Sequence, residues 1–215
     1  MRKLGNGIKG KFKSALGICF LGGALFSVNP LGFSADAKSS SEITSAKKGK
    51  EVEQSKKNSV ILLKDWHKIE SMQGKCSMDF PAKAEHVAET MKIDEDGTEL
   101  KYDAYISSSE AESVFMLLVA QYPDFVDEEF AQMSLEAFLN GILTHGAGSQ
   151  LLFADLVLVE GHEGLDFFIR TGANYFKGRC VMVKNQLYLM AMECKVSDYD
   201  ETHYEKFVGS FLLKK

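Results

Sequence analysis

The chain has 215 residues, 45% of them hydrophobic, and a formal net charge of −5 at neutral pH. The charge is unevenly divided, because from Ser59 to the C-terminus 14 Lys and Arg stand against 26 Asp and Glu, a net charge of −12. Phosphate backbones repel so acidic a domain, so we expect no nucleic-acid partner.

The N-terminus has the pattern of an export signal. Five basic residues and no acid precede an uninterrupted run of apolar and small residues over 15–28, and Pro30 breaks any helix there. Ala35 and Ala37 then offer a small-residue cleavage site. The run of 14 residues is shorter than the roughly 20 that span a bilayer. We therefore expect residues 1–37 to be removed as a signal peptide, with a retained anchor as the alternative. The mature chain would be exported and lack a stable transmembrane anchor. Its location would be the periplasm, the extracellular space or the periphery of the envelope.

A polar linker is expected after the signal peptide. Residues 38–58 are rich in Ser, Lys, Glu and Gln, and their only large aliphatic residues are Ile43 and Val52. Such a segment cannot bury enough apolar surface to offset its ordering entropy, so it is predicted to be disordered. The remaining residues, 59–215, have the length of a single domain.

The first half of this domain is predicted to form strands. Residues 75–81 alternate and end at a proline, which indicates an early strand. Residues 90–94 and 99–107 flank Glu95-Asp96-Gly97, a hairpin signal, because glycine after aspartate tolerates positive φ. Residues 114–122 are apolar almost throughout, which is typical of a strand covered on both faces.

The clearest helix pattern covers residues 127–145. Acids begin it, glycines at 146 and 148 end it, and an apolar stripe recurs at helical spacing. The residues of this stripe are expected to line the core: Phe130, Met133, Leu135, Phe138, Leu139, Ile142 and Leu143. Residues 152–159 follow as another apolar run, predicted to be a strand buried on both faces.

In the last third, the pattern predicts strands at 165–171, 175–183 and 187–196. A helix is predicted at 200–208, with Tyr204, Phe207 and Val208 facing inward, and a short strand at 210–213. In the hairpin of the second and third strands both faces are apolar, so both need cover. The fold class that follows is α+β: a mostly antiparallel sheet with helices packed on its faces, an α/β/α sandwich.

Three cysteines remain after processing. With Asn185 at the centre of the hairpin turn, Cys180 would lie opposite Ala191 and Cys194 opposite Lys177. The two cysteines are then out of register and on opposite faces, so a disulfide between them is not expected. A bridge from Cys76 to one of them, or three buried thiols, both remain open.

The order of structural glycines and aromatics resembles a known class. The small exported α/β/α sandwich domains of the Mog1/PsbP-like class show a similar order of Phe80-Pro81, Tyr122-Pro123-Asp124, Gly161-x-x-Gly164 with Phe167-Phe168, Arg179, Leu187-Tyr188 and Phe207-x-x-Ser210-Phe211. The resemblance covers most of residues 66–213. It implies the sandwich fold and an accessory or binding role attached to a larger assembly. No catalytic residue and no cofactor are carried over.

One segment has a donor set for a metal ion. His162, Glu163 and Asp166 follow Gly161 between two strands, and imidazole with carboxylates suits hard or borderline cations. The alternative is a tight turn whose glycines take positive φ and whose charged groups face water.

Arg170 and Arg179 are the arginines of the domain. Guanidinium groups suit carboxylates and phosphates, so the two are candidate residues of an anionic-ligand pocket. The alternative is that each pairs with a neighbouring carboxylate.

The leading functional hypothesis is an exported, non-enzymatic accessory domain of the cell envelope that binds a protein or a small ligand, without a cofactor. One alternative is a metal-assisted hydrolase that uses His162 and neighbouring carboxylates. Another is a surface or secreted effector with the linker as a flexible arm.

Overall fold

A computed structural model of the chain describes residues 66–92, 99–109, 113–124, 126, 128–145 and 148–214. The predicted signal peptide at 1–37 and linker at 38–58 lie outside these residues, as do the hairpin tip at 95–97 and Gly146. None of the helices within the described ranges has both the length and the apolar character needed to cross a bilayer.

The centre of the fold is a seven-stranded antiparallel sheet in the order β3-β4-β5-β9-β8-β7-β6. Its strands are β3 Glu85–Lys92, β4 Glu99–Ser108, β5 Val114–Gln121, β6 Ser149–Val159, β7 His162–Thr171, β8 Asn174–Val183 and β9 Gln186–Lys195. Strands β3 and β6 are therefore the two edges. A second antiparallel sheet has the order β1-β2-β10, with β1 His67–Ser71, β2 Cys76–Phe80 and β10 Leu212–Leu213.

The two helices pack on opposite faces of the large sheet. Helix α1 (Ala131–His145) follows a 3₁₀ turn at Glu128–Phe130, and helix α2 (Glu201–Gly209) begins after Asp200, whose side chain accepts a hydrogen bond from the Thr202 backbone N–H at 2.8 Å. Helix α1 contributes Leu135, Ile142 and others to one core cluster. Helix α2 and the small sheet form the other cluster with the opposite faces of β5, β8 and β9.

This architecture confirms the α+β class, the antiparallel sheet and the helices on its faces. The apolar strands β5 and β9 are covered on both sides, as predicted from their composition. Tyr204, Phe207 and Val208 of α2 point into the core, also as predicted. Strand β1, HKIES, has no apolar run or clean alternation and was not predicted.

Two expectations about burial are wrong. The apolar run at 152–159 is not buried on both faces, because it belongs to the edge strand β6, and Leu158 is 76% exposed. In the helical stripe, Phe130 and Met133 are 47% and 52% exposed, whereas Ala131 and Leu135 of the same segment are buried in the core. Both errors have the same cause: apolar composition shows what a segment can bury, and not whether a neighbour is present.

The hairpin of β8 and β9 is shifted by two residues from the expected register. Val183 pairs with Gln186, so the turn holds only Lys184 and Asn185, and Lys184 has φ 54°, in the left-handed region. Cys180 consequently lies opposite Leu189, and Cys194 opposite Tyr175. A shift of two preserves the faces of the strand, so the two cysteines still point to opposite sides.

All three cysteines of the described ranges are buried free thiols. Burial raises the pKa of Cys76 to about 12 and that of Cys194 to about 11. A thiol with such a pKa has little thiolate at neutral pH, so these cysteines act as small apolar core residues.

The close approach of β7 and β8 gives a stability prediction. A Cβ at Gly178 would lie 2.5 Å from Cζ of Phe167, which is fully buried, and 3.2 Å from the carbonyl oxygen of Met190. We expect Gly178→Ala to lower the free energy of unfolding by about 1–3 kcal/mol. The control Gly141→Ala, in α1 with nothing within 4 Å of the new Cβ, should raise it by about 0.5–1 kcal/mol. Urea unfolding at constant m-value measures both, and equal midpoints for the two variants would contradict the packing described.

Candidate functional site

A charged cluster occupies the α2 side of the sheet where β7 and β8 run past the helix. At its centre is Lys177 of β8, which is 7% exposed. Its ammonium donates hydrogen bonds to the Tyr199 hydroxyl at 3.0 Å and to Oε1 of Glu201 at 2.5 Å. Tyr199 in turn donates to the other carboxylate oxygen of Glu201. The buried lysine is thereby tied to the first turn of α2.

Aromatic rings surround the same ammonium. Four ring centroids lie between 4.3 and 5.8 Å from Nζ of Lys177, those of Phe153, Phe168, Tyr199 and Tyr204. We call Lys177, these four rings and Glu201 the lysine cage. Ring faces attract a cation most strongly where water is excluded. The cage therefore holds its own cation, and the lysine is a structural brace between β6, β7, β8 and α2 instead of a free nucleophile.

Arg179, two residues further along β8, is paired with Asp166. Asp166 is directly opposite in the β7–β8 register, and the guanidinium donates from Nε to Oδ1 at 2.6 Å and from Nη2 to Oδ2 at 2.7 Å. The hydrogen bond to Asp166 raises the pKa of Arg179 above its ordinary value. A two-pronged pair of this kind fixes the orientation of both side chains. Of the two expectations for Arg179, the geometry shows the carboxylate pair, and the anionic pocket stays a prediction.

Arg170 lies elsewhere on the same face. Its guanidinium is exposed and donates from Nε to the Gly172 carbonyl oxygen at 3.2 Å. Arg179 is opposite Asp166, four residues along β7 from Arg170, which is about 13 Å at the rise of a strand. The two arginines therefore do not converge on one pocket.

The residues predicted for a metal ion are not brought together. Nδ1 of His162 lies 3.2 Å from Oε1 of Glu128, at the start of the segment leading into α1. Glu163 is the next residue of the strand and points to the opposite face, and Asp166 is paired with Arg179. Within the described ranges, no group of three or more His, Cys, Asp or Glu is arranged to hold a metal ion.

Two carboxylates of α2 border the cage. Burial, together with a hydrogen bond to Glu201 and the negative charge of Glu201, raises the pKa of Glu205. Burial alone would raise the pKa of Glu201 too, but hydrogen bonds from Lys177 and Tyr199 lower it below its ordinary value. Beside them, burial raises the pKa of Tyr204, whose buried hydroxyl has no hydrogen-bond partner among the described residues. The cation of the cage is thus bonded within the cage, while the Glu201 side chain remains 51% exposed.

A second feature, on the outer side of the cage, is the uncovered strand β6. We call its exposed apolar residues the β6 edge surface; they are Leu151, Leu152, Phe153, Leu156 and Leu158. Asp155 is the single charged residue of this 11-residue strand. The other edge strand, β3, has the sequence EHVAETMK and carries charges along its length. Since charged side chains are the usual protection of an edge, β3 is protected and β6 is not.

Sequence reasoning missed the lysine cage and misread β6. Lys177 had one usable signal, a lysine at an inward-facing position of an otherwise apolar strand. Its partners, Phe153, Tyr199 and Glu201, are 22 to 24 residues away in the chain. No local pattern could join them.

Comparisons with known proteins locate the fold only. No family model and no curated protein matches the chain. In structure it is similar to cyanobacterial PsbP from Synechocystis, with a TM-score of 0.49 and 10% identity over 69% of this chain and 92% of that one. It is also similar to a Bacteroides thetaiotaomicron protein (TM-score 0.36, 8% identity, 69% of this chain and 48% of that one). A Pseudomonas aeruginosa protein of unknown function has a TM-score of 0.31 and 8% identity, over 62% and 85%. The expected PsbP-like resemblance is therefore found at the level of the fold, and it transfers no role.

The cage predicts the effect of removing its cation. Lys177→Met keeps the apolar stem but loses the hydrogen bonds and the attraction of four rings, so we expect the free energy of unfolding to fall by about 1–3 kcal/mol. Lys101→Met, on the exposed side of β4, should change it by less than about 0.5 kcal/mol. Urea unfolding compares the two. A Lys177→Met variant as stable as the unchanged chain would show that the cage contributes nothing net.

Glu205 predicts a pH dependence of stability. Its pKa is raised in the folded state, so its ionisation costs stability as pH rises through that folded pKa, and no cost exists below the unfolded value of about 4.3. Glu205→Gln should therefore raise the free energy of unfolding at pH 7 and make no difference near pH 4. The control Glu136→Gln replaces a carboxylate that contacts Gln132 instead of a second acid. A benefit of Glu205→Gln that is the same at both pH values would contradict the repulsion from Glu201.

Proposed function

We propose that the chain is an exported, non-enzymatic accessory domain of the cell envelope that binds a protein through the β6 edge surface. One observation carries the proposal: among the described residues, the longest strand of the sheet is an edge whose apolar side chains are exposed. Large apolar patches on a folded protein mark interaction sites. In the opposite edge strand, residues 85–90 expose no large apolar side chain.

An edge strand offers a binding mode as well as a patch. Every second residue of β6 directs its backbone N–H and C=O away from β7, where an extended segment of a partner can pair with them. Such pairing brings the side chains of both strands side by side on each face. Covering Leu156 and Leu158, which are 55% and 76% exposed, would contribute on the order of 1–3 kcal/mol each.

Small-ligand binding at the polar cluster has less support. Lys177 is occupied by Glu201 and Arg179 by Asp166, so an anionic ligand would have to displace a bonded carboxylate. Removing one carboxylate from a partly buried pair leaves an uncompensated charge. The β6 edge surface needs no such exchange before it binds.

The envelope location rests on the N-terminal pattern. The basic start, the short apolar run and the small residues at Ala35 and Ala37 support cleavage and export of the mature chain. The linker at 38–58 would then give the domain reach while it engages a partner.

Site-specific photo-cross-linking tests the proposal in cells. A photoreactive amino acid replaces Leu158 in the full chain, and the matched control places it at Thr90 on the exposed side of β3. We expect covalent adducts from position 158 and none from position 90, in an extracytoplasmic fraction, with the intact mass of a chain that starts near Lys38. Absence of adducts at 158, or equal adducts at both positions, would refute binding through β6.

A further inference from the structure

We infer that the partner of the β6 edge surface is a second copy of this chain, with the two β6 strands antiparallel about a twofold axis at Leu156. The inference rests on the proposed function and names its occupant. An antiparallel pair of identical strands is self-complementary, because each presents the same alternation of donors and acceptors to the other.

A bulge limits where two β6 strands can pair. The register of β6 against β7 shifts between Leu151 and Phe153. A bulge disturbs the ladder and bends its strand, so regular pairing on the outer side is available from Phe153 to Val159. The middle residue of that stretch is Leu156. With a twofold axis through Leu156, every residue from Phe153 to Val159 is paired.

The one charge of β6 selects the same axis. An axis at Asp155 would set two carboxylates directly opposite each other, which destabilises a strand pair. An axis at Ala154 would set Leu156 against the bulged position 152 of the second copy. With the axis at Leu156, Asp155 instead lies opposite Val157 of the second copy. This register avoids both the like charges and the bulge.

The side chains of this register are apolar on both faces. On the α1 side, Leu156 meets Leu156 of the second copy, and Ala154 meets Leu158. On the α2 side, Phe153 meets Val159. Because opposed side chains in an antiparallel pair are about 4.5–5.5 Å apart, Phe153, Leu156 and Leu158 would each be covered by an apolar side chain of the second copy.

Helix α1 extends the apolar surface at the same end. Glu128 contacts His162, the first residue of β7, so the start of α1 lies near the β6–β7 turn. Phe130 in the 3₁₀ turn before α1 and Met133 in the first turn of α1 are both about half exposed. Helix α1 packs on the sheet face that carries Leu156 and Leu158.

The net charge of the domain opposes dimerisation and makes it depend on salt concentration. Each copy carries −12 from Ser59 onward, while the paired strand contributes one acid. Electrostatic repulsion between two such acidic domains is long-ranged and is screened by salt. Apolar contacts are not weakened by salt. Dimerisation should therefore tighten as the salt concentration rises from low to physiological.

Sedimentation equilibrium of the purified chain tests the inference. The unchanged chain should be dimeric. Leu156→Lys and Leu156→Glu should each raise the dissociation constant of the dimer by at least about tenfold, since like charges meet at the axis. An equimolar mixture of the two variants should restore dimers, because Lys then faces Glu. Thr90→Glu, which adds a charge to β3 opposite Lys101, should leave the dissociation constant unchanged.

The outcomes separate this inference from the function on which it rests. A monomeric unchanged chain, unweakened single variants or a mixture that stays monomeric would overturn the second copy as partner. Cross-linked adducts from position 158 with a mass other than twice that of the chain would also overturn it, while leaving binding through β6 in place. Loss of all adducts at that position would overturn both. Restoration by mixing cannot come from misfolded variants, so it supports the register directly.

Discussion

The central strands β5, β8 and β9 carry apolar side chains on both faces, and the arrangement of the remaining elements follows from covering them. A strand buried on two sides can exist only where another layer packs above and below the sheet. Helix α1 supplies one layer. Helix α2 and the small sheet of β1, β2 and β10 supply the other, through residues such as Phe80 and Phe207, whose rings lie 5.2 Å apart.

On the α2 side, the cover of the sheet changes from apolar to polar along β8. Lys177 and Arg179 take the place of core residues there and are neutralised by Glu201 at the start of α2 and by Asp166 of β7. On the α1 side, Leu156 and Leu158 of the edge strand β6 are 55% and 76% exposed. The polar cluster and these exposed leucines therefore lie on opposite faces of the sheet and have separate causes.

The sequence predicted what depends on local pattern. The helix at 200–208, its inward face and the two-sided burial of β5 all follow from residues close together in the chain. Strand order does not, and β6 shows the cost: its run is almost as apolar as that of β5, yet β5 lies third in the sheet and β6 last. The cage around Lys177 was equally out of reach, because β6, β7, β8 and the loop before α2 must first assemble. The β8–β9 register was wrong by two because a two-residue turn at Lys184 requires positive φ from a lysine.

Phe153 connects the cage to the edge. Its ring faces the Lys177 ammonium at 5.8 Å and packs on Phe168 at 6.0 Å, while about a third of the side chain is exposed at the edge of the sheet. Phe153, the first residue of the regular stretch of β6, is thereby fixed by contacts on its inner side. A strand fixed before binding loses less conformational entropy when it pairs than a mobile one does. Covering the outer side of Phe153 would also remove water from the ring that faces the ammonium, which strengthens the attraction between them. In the proposed pairing, the buried lysine would contribute indirectly, by holding the Phe153 ring in place at the edge.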